Sequence, residues 1–183
     1  MQLIYGKFFG IICAVMNMNK EILDKALALL ENVTPLRTDC GLLCGSACCK
    51  DNGDAGSAVW LLPGEEETDY PWAEVTETVT PVTGTPFRQI YCKGFCAREK
   101  RPFLCRIFPL SPHFSIKKGV WSVRMDRRAA ALCPLFICGG IKGLDPVFTE
   151  TCREAIRLIA TDPAGEQILN ILEQEEDAFR FEL

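Results

Sequence analysis

Histidine is nearly missing from this chain: His113 is the only one in 183 residues. A nucleophile paired with an imidazole base therefore has a single candidate partner, and His113, beside Pro112, reads first as a surface or capped side chain. It is otherwise a spare fourth ligand for a Cys₃His site. No phosphate-cradling glycine loop and no dinucleotide fingerprint occurs, so the common nucleotide-binding readings fall away. No methyl-donor pocket can be located, and no catalytic constellation emerges. Long apolar runs are absent as well. The longest near the start, residues 8–16, is far shorter than the roughly 20 apolar residues of a membrane-spanning helix. It follows Lys7, as the apolar part of a leader would, but no small-residue cleavage site comes after it. Asn17-Met18-Asn19-Lys20 instead runs into a helix. We expect a cytoplasmic chain with no membrane association, in which residues 1–18 are a disordered or upstream extension and Met18 is an alternative start. Neither an internal repeat nor a break in composition marks a second domain, so one domain is expected over 1–183.

Cysteine, by contrast, is abundant. There are 11, in a chain whose 48% apolar content already suffices for an ordinary core. Clustered cysteines mean either disulfides or metal, and the compartment decides between them. In a reducing cytoplasm the expectation is metal. The first group reads Cys40-Gly-Leu-Leu-Cys44-Gly-Ser-Ala-Cys48-Cys49, with glycines at 41 and 45 that let the backbone wrap an ion. A spacing of four also suits one face of a helix. Side chains of the adjacent pair Cys48-Cys49 diverge in most backbone conformations, so the two thiolates are expected to serve different ions. The second group is Cys92, Cys96 and Cys105, and Cys133 follows in Leu132-Cys133-Pro134. These eight would fill two tetrahedral sites. Cys13, Cys138 and Cys152 fall outside the pattern and read as small buried apolar residues, with Cys138 a substitute ligand.

The cysteine-rich stretch is followed by Arg101-Pro102-Phe103-Leu104-Cys105-Arg106-Ile107-Phe108-Pro109. From Cys40 to Cys133 this pattern resembles the cysteine-cluster family described as a zinc- or iron-chelating domain. The resemblance implies that Cys40, Cys44, Cys48, Cys49, Cys92, Cys96, Cys105 and Cys133 bind metal. Some relatives are linked to flagellin lysine methylation and to an iron–sulfur cluster. Ligand softness does not separate the two metals. Ferredoxin-type spacing is absent, so zinc is the expected cofactor, with a [4Fe–4S] cluster and methyl-transfer or redox chemistry as the alternative.

Charge is sorted along the chain. Residues 88–128 hold eleven Lys or Arg against two acids; the rest holds nine against 22, from totals of 20 and 24. Thiolate sites are anionic, and Lys100, Arg101 and Arg106 are expected to offset them or donate hydrogen bonds to sulfur. The same segment would also suit an anionic or protein partner, or, less favoured, nucleic acid, with Phe87, Tyr91, Phe95, Phe103, Phe108 and Trp121 as stacking surfaces that otherwise read as core.

The fold expected is α+β. Asn19 caps a helix over about 20–32 ended by Pro35, and residues 38–56 form an irregular loop. Residues 58–62 form a short strand, 65–69 an exposed acidic segment, and 75–86 an extended edge or a surface loop. Residues 114–123 form a hairpin around Lys117-Lys118-Gly119. Asp145-Pro146 and Asp162-Pro163 each cap a C-terminal helix, together spanning 145–181. The metal-binding part is 38–138, tied by metal and shaping a surface for a partner.

Overall fold

The computed structural model describes residues 17–49, 58–93, 96 and 98–179, and it has the expected α+β order, helices at both ends and antiparallel strands between. The expectations for Cys13 and the run 8–16 lie outside the described residues. The extension expected over 1–18 does not include Met18, whose side chain is buried in the core.

Helix α1, Lys20–Leu29, starts where Asn19 offers its side-chain oxygen to the Glu21 amide at 2.9 Å. It stops short of residue 32. The Leu30 amide closes a tighter turn on the Leu27 carbonyl, and the β-branched and Asn residues before Pro35 do not favour another helical turn. Of the loop expected over 38–56, residues 50–56 lie outside the described residues; in the rest α2, Gly41–Cys44, is followed by a 3₁₀ turn, Ala47–Cys49. Gly45 and Ser46, both left-handed, join the two.

Strand β1 (Ala58–Trp60) pairs with β3 (Pro86–Cys92), which also pairs with β2 (Ala73–Val79) on its other side; all pairings are antiparallel. The Val/Thr/Pro-rich stretch is thus the edge strand β2 and its hairpin turn. Helix α3 (Phe103–Ile107) leads into the hairpin of β4 (Leu110–Ser115) and β5 (Val120–Met125). Two single-turn helices, α4 (Ala129–Leu132) and α5 (Pro134–Ile137), meet at Cys133. Helices α6 (Pro146–Ile159) and α7 (Pro163–Ala178) begin at the two Asp-Pro pairs, whose aspartates cap them.

Helix α6 packs on α1 and β5, and α7 on β4. Leu23 and Leu30, Phe103 and Ile107, and Phe148, Ile156, Ile159, Ile168 and Leu169 are fully buried between them. Each such side chain removed from water stabilises the fold by about 1.5–3 kcal/mol. Gly165 permits the tight passage from α6 to α7: a Cβ there would stand 2.2 Å from the Ile159 carbonyl oxygen. Leu61, Tyr70, Ile90 and Cys92 make a smaller core beneath the three-stranded sheet.

One sequence expectation is overturned outright. Glu65, read as solvated with its acidic neighbours, is only 2% exposed. Its two oxygens accept the Leu62 amide at 2.8 Å and the Phe103 amide at 2.6 Å. A 3₁₀ turn over Glu65–Glu67 sends the first carboxylate inward and leaves the next two outside.

Candidate metal centre

Ten cysteines are described, and all have free thiols. Eight of them fall into two groups. Cys49, at the end of its 3₁₀ turn, Cys92, at the end of β3, Cys96, and Cys105, in α3, line one cavity together with Cys48. Local folding explains the convergence. The β2–β3 pairing, with Ala73 opposite Cys92, carries Cys92 to the sheet end, and the Phe103 amide held by Glu65 fixes the start of the helix that presents Cys105. The Cys48 and Cys49 sulfurs lie 3.8 Å apart, Cys48 exposed and Cys49 hydrogen-bonded on its other side to Cys96. The second group is Cys40, Cys44 and Cys133, near enough to perturb one another electrostatically. Cys44 donates its thiol to the Cys40 carbonyl at 3.7 Å, as the spacing of four implied. Cys138, expected to be buried, is exposed, whereas Cys152 is fully buried in the core as expected.

Every perturbed thiol in both groups is shifted upward. Burial, then the neighbouring sulfurs, pushes Cys92 up to about 11. The hydrogen bond with Cys49, then burial, holds Cys96 far above the usual thiol range. Burial raises Cys105 strongly, and Cys40 and Cys133 as well. Cys49 is raised chiefly by its hydrogen bond to Cys48. Without a cation these thiols keep their protons; a soft cation would have to displace them.

Arg101 stands inside the first group. Burial opposes its charge, but its hydrogen bond to Cys96 and the proximity of Cys49 and Cys105 outweigh that and raise its pKa. Arg106 is engaged differently: its guanidinium donates to the backbone carbonyls of Arg101 (2.8 Å), Leu27 (3.0 Å) and Glu99 (2.6 Å), tying α1 to the loop before α3. Lys100 is exposed. His113 is bonded through Nδ1 to Glu173 of α7 at 2.7 Å.

The cavity holds about 120 Å³. Beyond the thiols it is walled by Trp60, Leu104, Phe108 and Leu172, with Ser111, Asp126 and Arg128 at its polar edge. Asp126 is buried and grips Arg128 through both oxygens, at 2.9 and 2.5 Å. Trp60, Ser111 and Asp126 carry no signal in the sequence, because nothing local separates a strand residue that lines a cavity from one that fills a core. Among the described residues, no three His, Cys, Asp or Glu side chains are gathered tightly enough to be a ready-made ion site. The cavity's five thiols are of the donor type that a soft metal ion takes, and Arg101 beside them can offset thiolate charge.

Most cations of the basic segment have partners within the chain. Arg88 faces Glu77 and Lys93 faces Glu74 across β2 and β3, while Arg124 and Arg127 meet Glu176 and Asp177 of α7. Phe103 is fully buried, and Phe87 and Trp121 are nearly so, which makes these aromatics core and not stacking surfaces. No helix among the described residues is long and apolar enough to cross a membrane. No family model matches this chain, and no curated protein or solved structure matches it.

Proposed function

We propose that the chain is a cytoplasmic metal-binding protein. Cys49, Cys92, Cys96 and Cys105 hold one ion, zinc by ligand preference, and Cys40, Cys44 and Cys133 contribute to a second site. The observation that carries this is the convergence of five reduced thiols, Cys48 beside these four, from separated chain segments on one cavity that also contains Arg101. A bound ion supplies cross-linking: it ties the 3₁₀ turn, the sheet end and α3 together, with binding free energy on the order of 10 kcal/mol for structural zinc. Arg101 offsets the thiolate charge. Lys100, Lys117 and Lys118, which have no ion-pair partner among the described residues, are the cations left for an anionic or protein partner.

A second reading, a [4Fe–4S] cluster with methyl-transfer or redox activity, is favoured by the cavity volume. Elemental analysis of anaerobically purified protein separates the two. Zinc at one to two atoms per chain, lost on Cys→Ser change at 49, 92, 96 or 105, supports the first. Iron with acid-labile sulfide and broad visible absorption supports the second. Neither metal in stoichiometric amount removes both.

A further inference from the structure

Strand β2 is an edge of the three-stranded sheet, and it pairs with β3 without a bulge, from Ala73 opposite Cys92 to Val79 opposite Pro86. The pairing fixes which backbone groups this ladder uses. The Thr80 amide donates to the Thr85 carbonyl, and in an antiparallel pair such hydrogen-bonded positions recur at every second residue. On the other side of β3 the Leu61 amide donates to the Arg88 carbonyl, so residues 88 and 90 turn to β1 while 87, 89 and 91 turn to β2, in the same phase. Glu74, Thr76 and Thr78 therefore bond inward. The carbonyl of Ala73 and the amides and carbonyls of Val75, Glu77 and Val79 point off the sheet, and among the described residues no strand pairs with them.

Sheet edges are ordinarily guarded by shortness, by proline or by unpaired charge. The opposite edge, β1, is only three residues long. Strand β2 has no such guard: it runs for seven residues without proline, and its two carboxylates already face cations on the β3 side, Glu74 with Lys93 at 3.7 Å and Glu77 with Arg88 at 3.8 Å. Val75 and Val79 are 44% and 54% exposed along it. The edge is also self-complementary. Antiparallel pairing with β2 of a second copy, about a two-fold axis at Thr76, overlaps the whole strand and sets Val75 opposite Glu77, Glu74 opposite Thr78 and Ala73 opposite Val79. No carboxylate then faces a carboxylate, and the opposed residues Val75 and Glu77 are those whose backbone groups point outward, as a hydrogen-bonded pair requires. Moving the axis to Glu77 sets that carboxylate against itself, and moving it to Val75 leaves only 73–77 overlapping. We infer that the chain forms a two-fold dimer through β2, which joins the two sheets into one. The inference stands apart from the thiol sites.

The test is sedimentation velocity of the full chain under reducing conditions, from about 1 to 200 µM, the low-affinity range expected of an interface this small. A concentration-dependent equilibrium between monomer and dimer is expected. Glu77→Pro deletes an outward amide that β3 does not use, so the monomer should keep its fold by circular dichroism while dimerisation weakens roughly tenfold or more. Val75→Lys, at an exposed position, places a cation opposite Glu77 of the second copy at both ends of the pairing. It should tighten the dimer several-fold, and high salt should cancel the gain. A chain that stays monomeric throughout would leave the edge to an extended segment of another protein and would overturn the proposal. A dimer that chelation dissolves, that Val75→Lys weakens, or that a folded Glu77→Pro variant retains would do the same.

Discussion

The Glu65 carboxylate accepts the backbone amide of Phe103 at 2.6 Å, across 38 residues of sequence. Its other oxygen takes the Leu62 amide at 2.8 Å, so one buried side chain joins the end of the β1 segment to the first turn of α3. Both donors would be stranded in Glu65→Ala. The expected loss is about 3 kcal/mol, from hydrogen bonds to a buried charged or polar acceptor. Thermal melting should drop by roughly 10 °C in a domain of this size. Since α3 carries Cys105, metal occupancy should fall with it. A variant that melts with wild type would show that this link is not structural.

The same side chain gives the fold a pH dependence of defined sign. Burial pushes the Glu65 carboxyl up to about 7 from its usual 4.5, against the two amides and Arg106, which favour the anion. The folded state therefore holds the proton more tightly than the unfolded chain does. Its contribution is fully present below pH 4.5 and is lost as pH rises through 7. Melting curves of wild type and Glu65→Gln, taken at pH 5, 6, 7 and 8, should show the advantage of wild type shrinking as pH rises. An advantage that grows with pH would refute the assignment.

Metal removal should be local in its effect. Helix α1 packs on α6, α6 on β5 and α7 on β4, and Phe103 and Ile107 anchor α3 in the same core, while the turn that carries Cys49 has no buried apolar side chain of its own. Chelation should abolish amide protection at residues 40–49 and leave α6 and α7 protected, as read by hydrogen exchange. Because the thiols keep their protons without a cation, reloading zinc at pH 7 should release about four protons for the four-thiol site. Uniform loss of protection would place the metal's stabilisation elsewhere.

The parts of the fold that a sequence can announce are those fixed within a turn or two. Asn19, Asp145-Pro146 and Asp162-Pro163 each start a helix because the capping oxygen and the orphaned amide are two residues apart. Lys117-Lys118-Gly119 turns a hairpin for the same local reason, with Gly119 at positive φ. Glu65 could not be told from Glu66 and Glu67, because what distinguishes it is an amide 38 residues away. The cysteines were legible as a set but not as groups. Spacing treats Cys40 and Cys49 alike, whereas folding sends one toward Cys133 and the other toward Cys96. Helix α2 is one turn long, too short for any periodicity to register.

Gly165 sits in the first turn of α7, where alanine is ordinarily the better helix former by about 1 kcal/mol. Here a methyl group would meet the Ile159 carbonyl oxygen at 2.2 Å, a backbone atom that cannot step aside without separating α6 from α7. Gly165→Ala should therefore destabilise by about 1–3 kcal/mol, the usual range for overpacking, and the sign is opposite to the propensity expectation. Urea denaturation decides it, and a stabilised variant would mean that the two helices part easily.

The acidic end of α7 serves as a row of acceptors for backbone and arginine donors elsewhere in the chain. Glu175 takes the Val82 amide at 3.1 Å and the Thr83 amide at 2.7 Å at the tip of the β2–β3 hairpin, while Glu176, 2% exposed, meets Arg124 and accepts the Arg127 amide at 3.1 Å. The two should respond differently to truncation. At the hairpin tip water can replace the carboxylate, so Glu175→Ala should cost about 1–2 kcal/mol and fray residues 80–85 in hydrogen exchange. Glu176→Ala leaves the buried Arg124 guanidinium short of its nearest acceptor and should cost about 3–5 kcal/mol. Replacing the pair together, Arg124→Met with Glu176→Leu, should recover most of that loss, because no buried charge is then left to be satisfied. If the double variant is as unstable as Glu176→Ala alone, the Arg127 amide, and not the ion pair, is what Glu176 secures.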